Sequence, residues 1–336
     1  MGSQIQQDTQ RVIVTGGCGF IGSNFLRLMI EKYPNYHFVN IDNLSYSGNP
    51  NNLKDIENKE NYEFIKADIR DHKAMSSIVQ EGDIIVNFAA ESHVDNSIKD
   101  PEIFISTNVL GTHSILEAAR KNNARLFIQI STDEVYGSLG FEDNSSTESD
   151  TLKPSSPYSA SKAAAEMICL GNLKTFNQPI IITRSSNNFG PYQFPEKLIP
   201  LFTTNLVEGK KVPVYGTGNN IRDWIFVQDN CEALDFLIHN GKPGEIYNIG
   251  GGNEITNLAL TKKIISVMEK NDDFIEYVED RKGHDLRYSL NSDKIMSLGW
   301  SPKSSFEEAM NFTLNWYRDN NVWWEPLKNI SDRRTS

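Results

Sequence analysis

The chain has 336 residues, 38% of them hydrophobic and 23% charged, enough for a sizeable buried core that can divide into unequal lobes. Its formal net charge of -11, with no runs of Lys or Arg, excludes a general nucleic-acid binder, which needs a basic surface to neutralise phosphates. The three cysteines, Cys18, Cys169 and Cys231, lack CxxC or Cys/His spacing, so they read as reduced structural thiols and no metal site is expected.

The opening MGSQIQQDTQ is polar, without an apolar signal core. No later stretch reaches the ~20 apolar residues that span a bilayer, so a cytoplasmic location and no membrane partner are expected. From Arg11, short apolar runs alternate with helical stretches: RVIVTG, a helix over about 21–32, HFVNID, YEFIKAD, a helix near 71–80 and DIIVNFAA. A helix near 103–121, the strand 124–131, a helix near 159–176 and the strand 179–186 continue the series. Such alternation predicts right-handed βαβ units, hence an α/β, Rossmann-type doubly wound parallel sheet covered on both faces.

After Asn187 the pattern loosens into loop-rich sequence, a short strand-like VPVYG and helices near 256–270 and 304–318, which predicts a smaller C-terminal substrate-binding lobe. The expected division is a dinucleotide-binding domain over 11–186 and a lobe over 187–222 and 251–325. The segment 223–250, a strand then an apolar-periodic helix, is expected to return to the main sheet.

After the first strand stands Gly16-Gly17-Cys18-Gly19-Phe20-Ile21-Gly22, a GxxGxxG turn opening into a helix. Glycines let the backbone approach a pyrophosphate, and the helix N-terminus offers it unpaired N–H groups. Asp42 ends the second strand, where a carboxylate accepts from both adenosine ribose hydroxyls and repels a 2′-phosphate, favouring NAD over NADP. It could instead cap a turn before Asn43. Asp68, ending the third strand, is a turn residue or an adenine contact.

Tyr158 and Lys162 form a YxxxK pair on one face of the predicted Ala-rich helix. A cationic Lys beside a phenol is expected to lower its pKa and make Tyr158 a usable base. Ser131-Thr132-Asp133-Glu134-Val135-Tyr136-Gly137 lies at the carboxyl end of the strand 124–131, where ligands bind in open α/β sheets. Its adjacent carboxylates suggest an acid/base pair, or else a solvated loop.

TGGCGFIGSNF, NFAAESHVDNSI, STDEVYG, PSSPYSASKAAAE, NNFGPYQFPEKLIP and GNNIRDW together resemble the dTDP-glucose 4,6-dehydratases of the extended short-chain dehydrogenase/reductase family. The likeness runs from about Arg11 to Trp300, and STDEVYG is its specific part, since related epimerases generally carry small or polar residues at 133 and 134. One departure is VQDNCEAL: the family more often has an acid at Gln228 and His at Asn230, where only local packing is at stake.

The resemblance implies that NAD oxidises C4 of a nucleotide-activated glucose, dTDP-glucose above all, with Tyr158 as base, Thr132 on the 4-oxygen and Lys162 on the nicotinamide ribose. Glu134 then takes the C5 proton and Asp133 protonates the departing 6-hydroxyl before the hydride returns to C6. An epimerase or decarboxylase of the same family is the alternative. The implied cofactor set is Gly16, Gly19, Phe20, Ile21, Gly22, Asp42, Asn43, Ser45, Asp68, Ile69, Ala89, Ala90, Ser92, Thr107, Tyr158, Lys162 and Asn188.

Arg222 and Arg281 are candidates for the diphosphate, because guanidinium binds phosphate in a bidentate way, though either alone suits a surface salt bridge. The family pattern adds Asn187, Lys197, Leu198, Pro213, Tyr215, Asn257, His284 and Tyr288 to the nucleotide pocket, with Ser92 and His93 near the sugar; both histidines could be structural. Apolar faces on the helices near 103–121 and 159–176 (Ile105, Val109, Ile115 and Leu116; Ala164, Met167, Ile168 and Leu170) exceed what one sheet face needs. By resemblance they form a homodimer's four-helix bundle, with core packing alone as the other reading.

Overall fold

A computed structural model of the chain describes residues 9–280 and 283–335, with side chains described up to residue 329. Strands β1 (Arg11–Thr15), β2 (His37–Asp42), β3 (Tyr62–Lys66), β4 (Ile84–Asn87), β5 (Leu126–Thr132), β6 (Ile180–Ser185) and β10 (Ile246–Ile249) form a seven-stranded sheet in the order β10-β6-β5-β4-β1-β2-β3. Parallel pairing puts Ile13 opposite Val39 and Ile85. The inner strands β4, β5 and β6 are buried along their whole length, as a parallel sheet covered on both faces requires, whereas the edge strand β3, YEFIK, is largely exposed.

Between them run α1 (Phe20–Lys32), α2 (His72–Ile78), α3 (Val94–Lys99), α4 (Pro101–Phe104), α5 (Thr112–Lys121) and α6 (Pro157–Phe176). The helix expected over 103–121 is interrupted: residues Ile105–Gly111 form a π-helical stretch. Here Gly111 lies so close to Ile69 that a Cβ would come within 2.6 Å of its side chain. Local periodicity does not report such contacts from elsewhere in the chain.

The remaining elements are β7 (Asn187–Phe189), α7 (Leu198–Val207), β8 (Val212–Tyr215), β9 (Ile221–Phe226), α8 (Val227–Asn240), β11 (Glu254–Thr256), α9 (Asn257–Val267), β12 (Ile275–Val278), α10 (Asp293–Ser297), α11 (Phe306–Asp319) and α12 (Asn321–Thr335). Strand β9 does not enter the main sheet; it pairs with β11 and β7, while β10 lies beside β6. A six-residue apolar run does not specify which sheet it joins; antiparallel pairing of Asp223 with Glu254 decides it.

The chain divides into two compact units. One comprises residues up to Ser131, Ala160–Thr183 and Leu234–Ile246; the other comprises Thr132–Ser159, Arg184–Ala233 and the chain from Tyr247. The first has a core of Ile13, Val39, Ile85, Ile115, Phe127 and Ile182. The second packs Phe189, Ile199, Phe202, Trp224, Leu260 and Met310. Ile115 and Leu116 point into the core, whereas Ile105, Leu110 and Met167 are more than half exposed or close to it (55%, 58% and 50%). At the departure in VQDNCEAL, Asn230 is buried and neither polar atom of its amide has a hydrogen-bond partner, a local cost of about 1–3 kcal/mol per group.

Candidate active site

In the first unit the glycine turn is built by contact. Gly16 has φ +69°, and a Cβ on it would lie 2.7 Å from the Ala89 nitrogen; one on Gly22 would lie 2.5 Å from the Gly16 carbonyl. Any side chain at either place would push the turn off the start of α1. Gly19 precedes that helix, and Phe20 and Ile21 begin it, so first-turn N–H groups face outward from a 13-residue helix, suited to a pyrophosphate.

Asp42 is buried, accepting from the Cys18 N–H (2.9 Å) and the Leu44 N–H (2.8 Å). Burial raises its pKa, and the two N–H groups oppose that shift. Each oxygen keeps a second lone pair for a ribose hydroxyl, so turn-capping and ribose-binding are compatible. Asn43 donates to Asp68 (3.0 Å) and turns onto Ser45 (2.9 Å). Asp68 is drawn down to about 2, chiefly by Arg70. Ala89 and Ala90 follow β4, Ser92 lies two residues beyond Ala90, and His93 stands at the N-cap position of α3. Ile69 packs on Gly111, and Thr107 is buried in the π-helical stretch.

Asn108 had no signal in the sequence, yet its side chain accepts from the Glu91 N–H (2.8 Å) and donates to the Glu91 carbonyl (2.9 Å) and to Ser161 (2.8 Å). It thereby ties the loop after β4 to α6 beside Lys162.

In the second unit, Thr132 caps a one-turn helix over Asp133–Tyr136. Its hydroxyl donates to Asp133 (3.1 Å) and accepts from the Glu134 N–H (3.3 Å). Gly137 ends the turn at φ +81°, where a Cβ would strike the Lys153 carbonyl at 2.1 Å. Tyr136 is anchored by Arg184 (2.7 Å) and donates to Asn248 (2.8 Å). A charged residue in a strand that opens on three isoleucines was the available signal for Arg184.

The two acids differ in environment. Asp133 is 3% exposed, whereas Glu134 is half-buried. Burial first, then the charges of Glu134 and Asp223, push Asp133 well above the usual carboxylate range, against the Thr132 hydrogen bond and Arg222. Its Oδ2 atom is buried with no partner. Burial thus favours the protonated form of Asp133 beside the more solvated Glu134, the asymmetry that acid/base chemistry needs.

A carboxyl whose folded pKa is raised binds protons more tightly folded than unfolded, so it lowers stability as pH rises above the ordinary 3.8. Asp133→Asn keeps an acceptor for Thr132 and should raise the melting temperature at pH 7 by about 2–4 °C per kcal/mol relieved. The gain should shrink as pH falls toward 4. An equal or lower melting temperature at pH 7 would contradict the burial of an unrelieved acid.

Tyr158 lies in the first turn of α6, and Lys162 one turn later on the same helix. The expected electrostatics differ here. Burial pushes the Tyr158 phenol up, followed by the charge of Glu134 and then Asp133, with only the Thr132 hydrogen bond opposing. Lys162 is buried, donates to the Ile130 carbonyl (2.6 Å) and is lowered to about 8 by burial. Burial first, then the neighbouring acids, thus oppose the lowering expected of a phenol in a YxxxK pair.

Arg222 on β9 is buried, donates to the Ile221 carbonyl (2.7 Å) and the Asp285 carbonyl (2.9 Å), and lies 4.2 Å over the Tyr288 ring. Asn187 and Asn188 are on β7, paired with Trp224 and Ile225, and Asn188 keeps a buried Oδ1 without a partner. Lys197 precedes α7 and Leu198 begins it. Pro213 and Tyr215 are on β8, with the Tyr215 ring edge-on to His284 at 6.3 Å. His284 is held by Asp280 (2.6 Å). Asn257 opens α9 with a buried, unpartnered Oδ1. Arg281 lies outside the described residues. Asp223 and Asn220 were not singled out from the sequence, although both flank Arg222.

The profile of the GDP-mannose 4,6 dehydratase family matches residues 13–313. The chain belongs to that family. A dTDP-glucose 4,6-dehydratase of Streptomyces niveus is 46% identical over 323 residues, spanning 95% of this chain and 96% of its own. The crystal structure of the dTDP-glucose 4,6-dehydratase DesIV of Streptomyces venezuelae, with NAD bound, superposes with a TM-score of 0.92 at 44% identity, covering 95% of this chain and all (100%) of that one. A Thermus thermophilus UDP-glucose 4-epimerase in complex with NAD reaches 0.85 at 27% identity, covering 93% and 100%. The solved structures compared thus share this fold, and the two dehydratases named are nearer in sequence to this chain than the epimerase.

Proposed function

We propose that the chain is an NAD-dependent dTDP-glucose 4,6-dehydratase, a hydro-lyase forming dTDP-4-keto-6-deoxyglucose and water. The observation that carries this reading is the pair at the end of β5: Asp133 buried with an unpartnered carboxyl oxygen, Glu134 half-buried beside it. An epimerase has no water to expel and no use for a buried acid there.

Gly16, Gly19, Phe20, Ile21 and Gly22 would hold the cofactor pyrophosphate, Asp42 the adenosine ribose, and the open Oδ1 of Asn188 the carboxamide. When bound, NAD accepts the C4 hydride and returns it to C6. Tyr158 receives the proton of the 4-hydroxyl while Thr132 hydrogen-bonds the same oxygen. With C4 a ketone, the C5 proton is acidic, and Glu134 removes it. Asp133 gives its proton to the 6-hydroxyl, which leaves as water. Glu134 then returns a proton to C5. Arg222 and Tyr288 bind the nucleotide diphosphate, with Lys197, Tyr215, Asn257 and His284 around the nucleoside, and Ser92 and His93 on the sugar. Ile105, Leu110 and Met167, apolar and outward-facing, support a homodimer. Three buried free thiols suit the reducing cytoplasm, and no described helix is long and apolar enough to cross a membrane.

Incubation with dTDP-, UDP-, GDP- and CDP-glucose tests the reading. Loss of one water from dTDP-glucose, giving a 4-keto-6-deoxy sugar, is the expected result; a galacto isomer would put the epimerase first. Asp42→Ala should weaken NAD binding about ten- to a hundredfold, the value of one or two charge-assisted hydrogen bonds. Calorimetry on the folded variant reads this, and unchanged affinity would remove the ribose assignment.

A further inference from the structure

We propose that Asp285 is a positioning residue for this reaction, holding the start of α6, and so Tyr158, in register with the Arg222–Tyr288 pair. The proposal rests on the dehydratase reading. Asp285 is only 8% exposed, and burying a carboxylate is costly unless its partners repay it. Its Oδ2 accepts from two hydroxyls, those of Ser155 and Tyr288. Its main-chain carbonyl accepts from Arg222 (2.9 Å) and Asn220 (3.0 Å). One residue therefore meets both the candidate diphosphate ligands and the loop that leads into α6.

The route from Ser155 to Tyr158 is short and stiff. Ser156 and Ser159 form reciprocal bonds: the Ser156 N–H donates to the Ser159 hydroxyl (3.0 Å), and the Ser159 N–H to the Ser156 hydroxyl (3.1 Å). This is a capping box with serine at its third position, followed by Pro157 as the first helical residue. Ser155 sits immediately before that cap, and Tyr158 is the second residue inside it. Fixing Ser155 fixes the direction in which the first turn enters.

The same segment also secures the acids. The Leu286 N–H donates to the Ser138 hydroxyl (2.8 Å), and the Leu139 N–H to the Arg287 carbonyl (3.0 Å), just beyond the turn carrying Asp133 and Glu134. Residues 285–287 thus hold both flanks of the reacting groups against β9, whose Ile221 N–H donates to the Leu286 carbonyl (2.8 Å). Tyr158 must be placed to a fraction of an ångström, and a misplacement of about 1 Å can cost ~10²-fold in rate.

Arg222 bonds the main-chain carbonyl of Asp285, which substitution keeps, whereas the side chain holds Tyr288 as well as Ser155, so Ser155 substitution separates placement from nucleotide binding more cleanly. Asp285→Ala should lower kcat ~10²-fold, by more than it lowers dTDP affinity, whereas Ser155→Ala, which leaves the Tyr288 bond in place, should keep dTDP affinity, read by calorimetry, within about threefold of wild type. Asp285→Asn, whose amide oxygen can accept from both hydroxyls, should recover at least about tenfold of that loss. Ser155→Ala should lower kcat by about tenfold, and added to Asp285→Ala it should do no further harm, as expected for groups acting as one unit. If Asp285→Ala does not fold, Ser155→Ala and Asp285→Asn carry the test. A kcat within threefold of wild type in Ser155→Ala, or dTDP affinity falling in step with kcat, overturns the proposal while leaving an active wild type as a dehydratase. A wild type inert toward every nucleotide-glucose overturns both.

Discussion

Glu134→Gln should leave the fold and C4 oxidation intact while lowering formation of the 4-keto-6-deoxy sugar by ~10²–10⁴-fold, the usual loss for an acid/base group. The amide keeps the size of the side chain and its place beside Thr132, but it cannot take the C5 proton. A 4-keto hexose that retains its 6-hydroxyl should therefore be found by mass spectrometry in single-turnover mixtures with dTDP-glucose. Solvent deuterium should fail to enter C5. Removing the Glu134 charge also withdraws one of the influences that raise Asp133 and Tyr158, so the oxidation step should not be slowed by a phenol that is harder to ionise. Product formation at the wild-type rate would mean that the acids after β5 do not perform the elimination, and the epimerase or decarboxylase reading would lead.

Tyr158→Phe should abolish the step that Glu134→Gln preserves. The ring remains and NAD affinity should hold, but the proton of the 4-hydroxyl has no acceptor, so turnover should fall by at least ~10²-fold and no ketone of any kind should appear. Stability at alkaline pH should not suffer. A phenol whose folded pKa is raised lowers stability as pH passes its ordinary value near 10, and Phe removes that penalty. Near-normal turnover in this variant would remove Tyr158 from the chemistry.

These two residues mark how far the sequence could be read. The alternation of apolar runs and helical stretches from Arg11 to Ser186 led to the observed parallel sheet because each run reports its own burial. It did not reveal that β9 pairs away from that sheet, since a short apolar strand carries no label for its partner. The acidic pair stood out as a pair, but nothing in STDEVYG distinguishes its two carboxylates. That difference arises first from the burial of one side chain and not the other, with the charges of Glu134 and of Asp223, far along the chain, adding to it.

What the sequence determined by itself was local: the order of elements, the glycines required by a tight turn, and the placing of Tyr158 and Lys162 on one helical face. Each depends on neighbours within a few positions. Tertiary structure alone decided that Asp133 is the buried member of its pair, that Lys162 donates to the Ile130 carbonyl, and that Asp285 meets both Ser155 and Arg222. Burial and charge act through space, so a proton's affinity is set by groups that folding brings near, whatever their separation along the chain.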